Sequence, residues 1–364
     1  MKIPVHRRKR AVVTALLIVA ALLSFIFKDI QWDRRQDALA SPIPPASIRA
    51  MMTPTTEEYS LVHSVHSILA LSFVKLKLEK IVDVQLDEKE AFFLSILSIN
   101  GTLLASYRNS LSAYTTSVIQ LSDNFVPRAE TKTTVEGVED ARVFQLDGEG
   151  WLVDNHFLNR RVLVSVNGRR RVHLDETSIP NFVRGKNWSP FTHRGSLYFV
   201  YSLKPLRVLS CDLQTGKIRW VYEEPQEVNF RAEQLNEMLI RGGTNAVVHD
   251  NFIYGIGRET KYSSIACGGK THHRVAQHFP LLWRFPLKVI DRNFTIPSTN
   301  ESRDLVEVQR LDHPFRSGVN DPASLFVHNS TIFLTVSSCS CACLPEFRTD
   351  ANTQYNTVYK LCLS

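Results

Sequence analysis

Ala141-Arg142-Val143-Phe144-Gln145-Leu146, then Asp147-Gly148, then Gly150-Trp151-Leu152-Val153-Asp154-Asn155: two short apolar runs flank an Asp-Gly pair. Asp-Gly accepts the positive φ that both central positions of a type I′ turn require, and that turn matches the twist of two antiparallel strands. The stretch therefore reads as a β-hairpin. Outward from it the same unit returns. Runs of strand-forming residues lie at 91–98, 101–108, 117–121, 161–166, 197–202, 207–212 and 218–222, and Asn100-Gly101, Asn167-Gly168 and Thr215-Gly216 punctuate them. Many short strands at this spacing indicate an all-β sandwich, barrel or propeller. A strand pair followed by a crossing segment with a charged residue recurs from Ala91, Ala141, Pro190, Ala246 and Ser324. Five such units predict a five-bladed β-propeller. An irregular β-sandwich is the alternative.

With 364 residues the chain can bury one large core. Its 44% hydrophobic and 22% charged content is that of a folded protein. The net charge of +7 draws heavily on His6-Arg7-Arg8-Lys9-Arg10, and no basic helix with interleaved aromatics follows. Nucleic acid is therefore not an expected partner. Residues 11–27 form an uncharged apolar run bounded by Lys28 and Asp29, long enough for one membrane-spanning helix. The heavy basic flank and the missing small-residue cleavage site favour a signal anchor over a cleaved leader, and the positive flank stays cytosolic. The expected organisation is a cytosolic tail (1–10), a signal-anchor transmembrane helix (11–27), a Pro- and Ser-rich stem (28–55) and a lumenal propeller (56–364), giving a single-pass type II protein of the Golgi or another secretory-pathway membrane. Between 60 and 86 the apolar pattern fits helix and strand equally. Asn-x-Ser/Thr triplets occur at Asn100, Asn187, Asn293, Asn300 and Asn329; Pro190 behind Asn187 disfavours its modification, and the others agree with a lumenal surface. Of six cysteines, Cys339, Cys341, Cys343 and Cys362 lie near the C-terminus. Their Cys-x-Cys spacing is not that of a zinc site, so disulfides or free thiols are expected.

Charge gathers where the strands begin. Acid–base chemistry at a reacting group needs a positioned carboxyl group to manage a proton. Asp140, between Glu139 and Arg142 at a strand start, is the candidate for that role. The alternative is an Asp140–Arg142 pair that merely closes a blade. Phosphate or diphosphate leaving groups need convergent cations, and Arg108, Arg142, Lys186, Arg241 and Arg258 fall at equivalent strand ends. Each has a solvated surface role as its alternative. Trp188 and Tyr201 offer faces for a sugar ring, with packing within a blade as the alternative. His272-His273 with His278 suggests metal binding or simple solvation. No Gly-rich phosphate loop, Gly-x-Ser-x-Gly elbow or Asp-x-Asp element is present, so the chemistry is expected to use no metal cofactor, only a sugar-nucleotide or sugar-phosphate donor.

In order along the chain stand Asn100-Gly101 with Tyr107-Arg108, Glu139-Asp140-Ala141-Arg142, Lys186-Asn187-Trp188 and Arg241-Gly242-Gly243-Thr244. Over roughly 91–286 this order resembles the clan of five-bladed propellers that includes inverting β-mannoside phosphorylases and the related eukaryotic β-mannosyltransferases. The resemblance implies Asp140 as proton donor or acceptor, directly or through a sugar hydroxyl. It also implies Arg108, Glu139, Arg142, Lys186, Asn187, Trp188, Tyr201, Arg241 and Arg258 in substrate binding. Two departures stand out. Ala141 replaces the family's proline, and Arg258 stands where a histidine is expected on the second strand of the fourth blade. The implied activity is transfer of mannose from an activated donor to a glycan acceptor, with a hydrolase or phosphorylase of the same clan, or an inactive lectin-like propeller, as alternatives.

Overall fold

The computed structural model describes residues 76–86, 91–109, 114–154, 161–179, 182, 187–224, 241–249, 251–267, 270–291, 305–311, 319–339 and 354–363. Among the described residues no helix is long and apolar enough to cross a membrane; the apolar run at 11–27 lies outside them.

The first described strand, β1 (Leu76–Asp83), belongs to the last sheet. Blade 1 is β2 (Phe92–Ile99), β3 (Thr102–Arg108), β4 (Thr115–Leu121) and β5 (Pro127–Glu136). Blade 2 is β6 (Arg142–Leu146), β7 (Glu149–Val153), β8 (Val162–Ser165) and β9 (Arg171–His173). Blade 3 is β10 (Ser189–His193), β11 (Ser196–Leu203), β12 (Leu206–Cys211) and β13 (Ile218–Glu223). Blade 4 begins with the short β14 (Arg241–Gly242) and β15 (Val247–His249), continues through the long hairpin β16 (Phe252–Cys267) and β17 (Lys270–Pro286), and ends with β18 (Glu307–Arg310). Blade 5 is β19 (Val319–His328), β20 (Thr331–Cys339) and β21 (Gln354–Leu363), and β1 completes it by pairing antiparallel with β21. The described residues thus form an all-β, five-bladed propeller closed by β1. The ambiguous 60–86 stretch resolves at its end as that closing strand.

Turn chemistry fixes the first hairpin of blades 1, 2, 3 and 5. Both central residues have positive φ at Asn100-Gly101, Asp147-Gly148, Arg194-Gly195 and Asn329-Ser330, as a type I′ turn demands. Apolar side chains fill the junctions between blades, one cluster to each. Leu97 and Val118 meet Val143 and Leu152 between blades 1 and 2. Trp151 and Phe144 meet Trp188 and Phe199 between blades 2 and 3. Phe191 and Leu203 meet Trp283 and Phe285 between blades 3 and 4, Tyr254 meets Leu334 between 4 and 5, and Phe326 meets Leu94 between 5 and 1.

An innermost strand exposes unpaired backbone groups along one edge, and buried backbone groups must find partners. Here side chains of neighbouring blades supply them. Ser95 Oγ accepts from Val143 N–H at 3.0 Å, Ser324 Oγ from Ile96 N–H at 2.7 Å, and Asn245 makes a two-way bond with Leu325 at 2.9 and 3.0 Å. Ala246 N–H donates to Pro190 O at 2.8 Å. The inner ring is therefore sewn together by short polar side chains. Gly242 and Gly243 have to be glycine for the same closure. A Cβ on Gly242 would lie 2.4 Å from Ser189 Oγ, and one on Gly243 would lie 2.5 Å from Pro322 Cγ and 2.8 Å from Ile256 O.

Candidate functional site

The hairpin registers bring the starts of the inner strands to one rim. Phe92 faces Arg108, Arg142 faces Val153, Ser189 faces Val200, Arg241 faces Arg258 and Val319 faces Cys339. At this rim the backbone leaves regular extended geometry. Phe93, Asp140 and Asn187 have φ of 59°, 48° and 63°, one at the entrance to each of the first three blades. A bulky residue such as Phe in the left-handed region is a genuine outlier, and such residues concentrate at functional sites. Register shifts between Phe92 and Ser95 and between Pro322 and Ser324 add bulges at the same level, a device that re-aims side chains.

Arg108, at the end of β3, reaches across to the loop before β6. Its Nη1 donates to Glu139 Oε1 at 2.8 Å and Asp140 Oδ1 at 3.2 Å, with all three side chains about one-tenth exposed. The loop is pinned from both sides. Glu139 N–H donates to Asp154 Oδ1 at 2.8 Å, and Thr116 Oγ1 donates to Val138 O at 2.9 Å. Asp154 is in turn tied to Arg161, whose Nη1 donates to its carbonyl at 2.8 Å. Two nearly buried carboxylates are thus held side by side on one guanidinium, in a segment whose backbone has few ways to move.

Arg142 lies beneath this pair and corrects one expectation. It is 1% exposed, its Nη1 donates to Asp140 O at 3.1 Å, and its Nε donates to Gly243 O in blade 4. The guanidinium also covers the Phe93 ring, 4.8 Å from its centroid. Burial lowers its pKa to about 10, with the Asp140 charge opposing the shift, so it stays charged at neutral pH. Arg142 is a strut between blades 1, 2 and 4 rather than a fork presented to a phosphate.

A second charged cluster forms where blades 4 and 5 meet. Arg258 Nη1 contacts Asp321 Oδ1, which also lies 2.7 Å from His278 Nδ1. Asp321 is 4% exposed. Its neighbour Asn320 accepts from Ser338 Oγ at 2.8 Å and donates to His278 O at 3.4 Å. The two clusters share a support, because Gly243, which accepts from Arg142, packs directly on Pro322. His278 lies on the strand beside that of Arg258: Arg258 pairs with Pro280 and Thr260 with His278 across the β16–β17 hairpin. Asp321 escaped sequence reasoning. Its signal was Asn320-Asp321-Pro322-Ala323, which begins its blade as Glu139-Asp140-Ala141-Arg142 begins blade 2.

The remaining expected residues divide. Trp188 is fully buried in the blade 2–3 junction, with Arg161 over its ring at 3.9 Å from the centroid. Tyr201 is half-buried and meets Phe182, Trp188 and Trp220 edge-on or tilted. Both aromatics serve blade packing, the alternative to a sugar platform. Asn187 is at the rim but 4% exposed. Arg241 is placed at the rim by its pairing with Arg258. Lys186 lies outside the described residues. Cys339 is disulfide-bonded, whereas Cys211 is a buried free thiol. Among the described residues no group of His, Cys, Asp or Glu is arranged to hold a metal ion.

Compared with known proteins, the chain matches no family model. It is 33% identical over 138 residues to beta-mannosyltransferase 1 of Komagataella phaffii, a match covering 33% of this chain and 19% of the other. It is 27% identical over 176 residues to beta-mannosyltransferase 3 of Candida albicans, covering 43% and 29%. The match thus spans less than a third of the length of these relatives. Among solved structures, it is similar to a member of the GH130 family of mannoside phosphorylases described as containing glycoside hydrolases that target beta-1,2 mannosidic linkages in Candida mannan. The TM-score is 0.47 at 10% identity, covering 79% of this chain and 94% of that one. An alpha-L-arabinofuranosidase from Lactobacillus brevis gives 0.48 at 8% identity, covering 76% and 93%.

Proposed function

We propose that this chain is an inverting β-mannosyltransferase of the secretory pathway, held to its membrane by residues 11–27 and acting on glycans. The observation that carries the reading is the Glu139–Asp140 pair clamped by Arg108 at the rim of a five-bladed propeller. Sequence similarity to proteins named beta-mannosyltransferase supports the sugar. In this reading Asp140 takes the proton of the acceptor hydroxyl, directly or through a hydroxyl of the sugar, as that oxygen bonds to the mannose anomeric carbon. The anomeric carbon–phosphate oxygen bond breaks on the opposite face, which inverts the centre. Glu139 and Arg108 keep the Asp140 carboxylate oriented. The Arg258–Asp321–His278 cluster is the candidate for contacts to the remaining groups of donor and acceptor. Arg258 and Lys186 or Arg241 are the cations suited to a phosphate leaving group.

Asp321, a buried carboxylate outside the Glu139–Asp140 pair, favours one further reading, a glycoside hydrolase or phosphorylase in which water or phosphate takes the acceptor's place. One experiment addresses both. The full chain in detergent is incubated with GDP-mannose, mannose 1-phosphate and β-mannosides, with and without inorganic phosphate. Donor consumption coupled to a new β-mannosidic product supports transfer. Loss of β-mannoside to mannose or mannose 1-phosphate, with no use of GDP-mannose, would replace the transferase by the second reading.

A further inference from the structure

The tips of the blades at the end opposite the rim carry a different chemistry. Asn100-Gly101-Thr102 and Asn329-Ser330-Thr331 are both Asn-x-Thr triplets. Each asparagine is exposed and opens a positive-φ turn, with φ of 50° between β2 and β3 and 48° between β19 and β20. The two tips are neighbours: β19 packs on β2, and Ser98 Oγ lies 3.3 Å from His328 Nδ1 between them. Asn187-Trp188-Ser189 is the contrast. Asn187 is 4% exposed, Trp188 and Ser189 are fully buried, and the Gly242 backbone closes on Ser189 Oγ so tightly that even a Cβ there would lie 2.4 Å away.

We infer that Asn100 and Asn329 are N-glycosylation sites on the face opposite the carboxylate rim, and that Asn187 stays unmodified. The inference rests on the lumenal placement proposed above. The chemistry needs a lipid-linked diphospho-oligosaccharide and the enzyme that uses it. Asn Nδ2 attacks the reducing-end anomeric carbon, the C–N bond forms and the C–O bond to the lipid diphosphate breaks. The amide gives up one proton to that enzyme's base. One Nδ2–H remains, enough for Asn329 to keep its 3.2 Å contact with His328 Nε2. A tight turn with an outward amide takes a bulky hydrophilic group without displacing any core side chain. At Asn187 the same group would have to displace the blade 2–3 junction. The sugars would therefore cap blades 5 and 1 while leaving the Arg108–Glu139–Asp140 rim clear for substrate.

The test is peptide mass spectrometry of the full chain purified from a eukaryotic secretory host. Glycans are released by a peptide amidase in heavy-oxygen water, which tags each formerly glycosylated asparagine. A parallel sample without the amidase controls for spontaneous deamidation at Asn100-Gly101. Amidase-dependent tags at Asn100 and Asn329 and none at Asn187 are expected, and the Asn100→Gln/Asn329→Gln variant should lose both glycans yet keep wild-type donor turnover. Untagged Asn100 or Asn329 in protein whose Cys339 is oxidised would overturn the glycan sites while leaving the lumenal reading intact. Absence of both tags with Cys339 reduced would overturn the lumenal reading together with the sites. A tag at Asn187 would overturn the assignment of that residue to the buried rim.

Discussion

Replacing Arg142 by methionine separates a strut from a ligand-binding cation. Methionine fills much of the same volume but supplies no donors, so Asp140 O and Gly243 O lose their partners and the Phe93 ring loses the guanidinium above it. Orphaning a buried carbonyl costs about 1–3 kcal/mol, and the stacked cation adds roughly 0.5–2 kcal/mol. Relief of the desolvation that lowers the Arg142 pKa offsets part of this, leaving a net loss of about 2–5 kcal/mol. An unfolding entropy of about 2.1 cal/mol/K per residue over roughly 290 propeller residues gives ~0.6 kcal/mol/K, so the midpoint should fall by about 3–8 °C. Differential scanning calorimetry of the full chain reads this directly. Arg142→Lys should recover only part of the loss, because a point charge cannot bond in two directions while lying flat on a ring. A variant with wild-type melting temperature and weakened donor binding would refute the strut and return Arg142 to the substrate.

Gly243→Ala should destabilise the propeller by at least the ~1–3 kcal/mol of an overpacked core, since its Cβ meets Pro322 and the Ile256 carbonyl rather than a flexible side-chain end; urea unfolding of the variant checks this. Cys211 should resist alkylation in the native protein at pH 8 and react on unfolding, because burial, aided by Asp212, pushes its thiol up to about 12; timed iodoacetamide labelling with mass spectrometry is the assay. His193 has its pKa lowered by burial and by Arg194, against the pull of Asp291. Its folded pKa lies below the unfolded value, so the unfolded chain takes up the proton first. The stability it contributes is present above about pH 6.5 and is lost as pH falls through the folded pKa. His193→Gln should therefore flatten the fall in urea midpoint between pH 7 and pH 5.

Much of the fold could be read because the propeller writes its repeat locally. Asn100-Gly101 and Asp147-Gly148 announce type I′ turns by composition, and the strands beside them alternate or run apolar according to burial. The closing strand could not be read in this way. Leu76–Asp83 intersperses charges among apolar residues in a pattern that suits a helix as well, and only its long-range pairing with β21 decides the matter. The site was legible where it rests on one loop: Glu139 and Asp140 are adjacent in sequence and their partner Arg108 ends a neighbouring strand. It was obscure where it depends on contacts across blades. Nothing local joins His278 to Asp321, 43 residues apart, and nothing local tells a cation that faces solvent from one buried under Asp140. Trp188 stayed open between two roles for the same reason. An aromatic at a blade entrance looks like a sugar platform until Arg161 is found lying on its face.

In the proposed reaction Asp140 moves the proton of a glycosyl transfer at this rim. The most direct measurement compares GDP-mannose and mannose 1-phosphate consumption by the full chain and by Asp140→Asn, with a mannoside acceptor present and calorimetry on both proteins. Asparagine keeps the size of the side chain and tolerates the left-handed backbone at this position, so the variant should remain folded. Turnover that is present in the wild type and lost by two or more orders of magnitude in the folded variant is expected, in line with general acid–base contributions of about 10²–10⁴. Equal turnover in the two folded proteins would contradict the claim and move the chemistry away from Asp140.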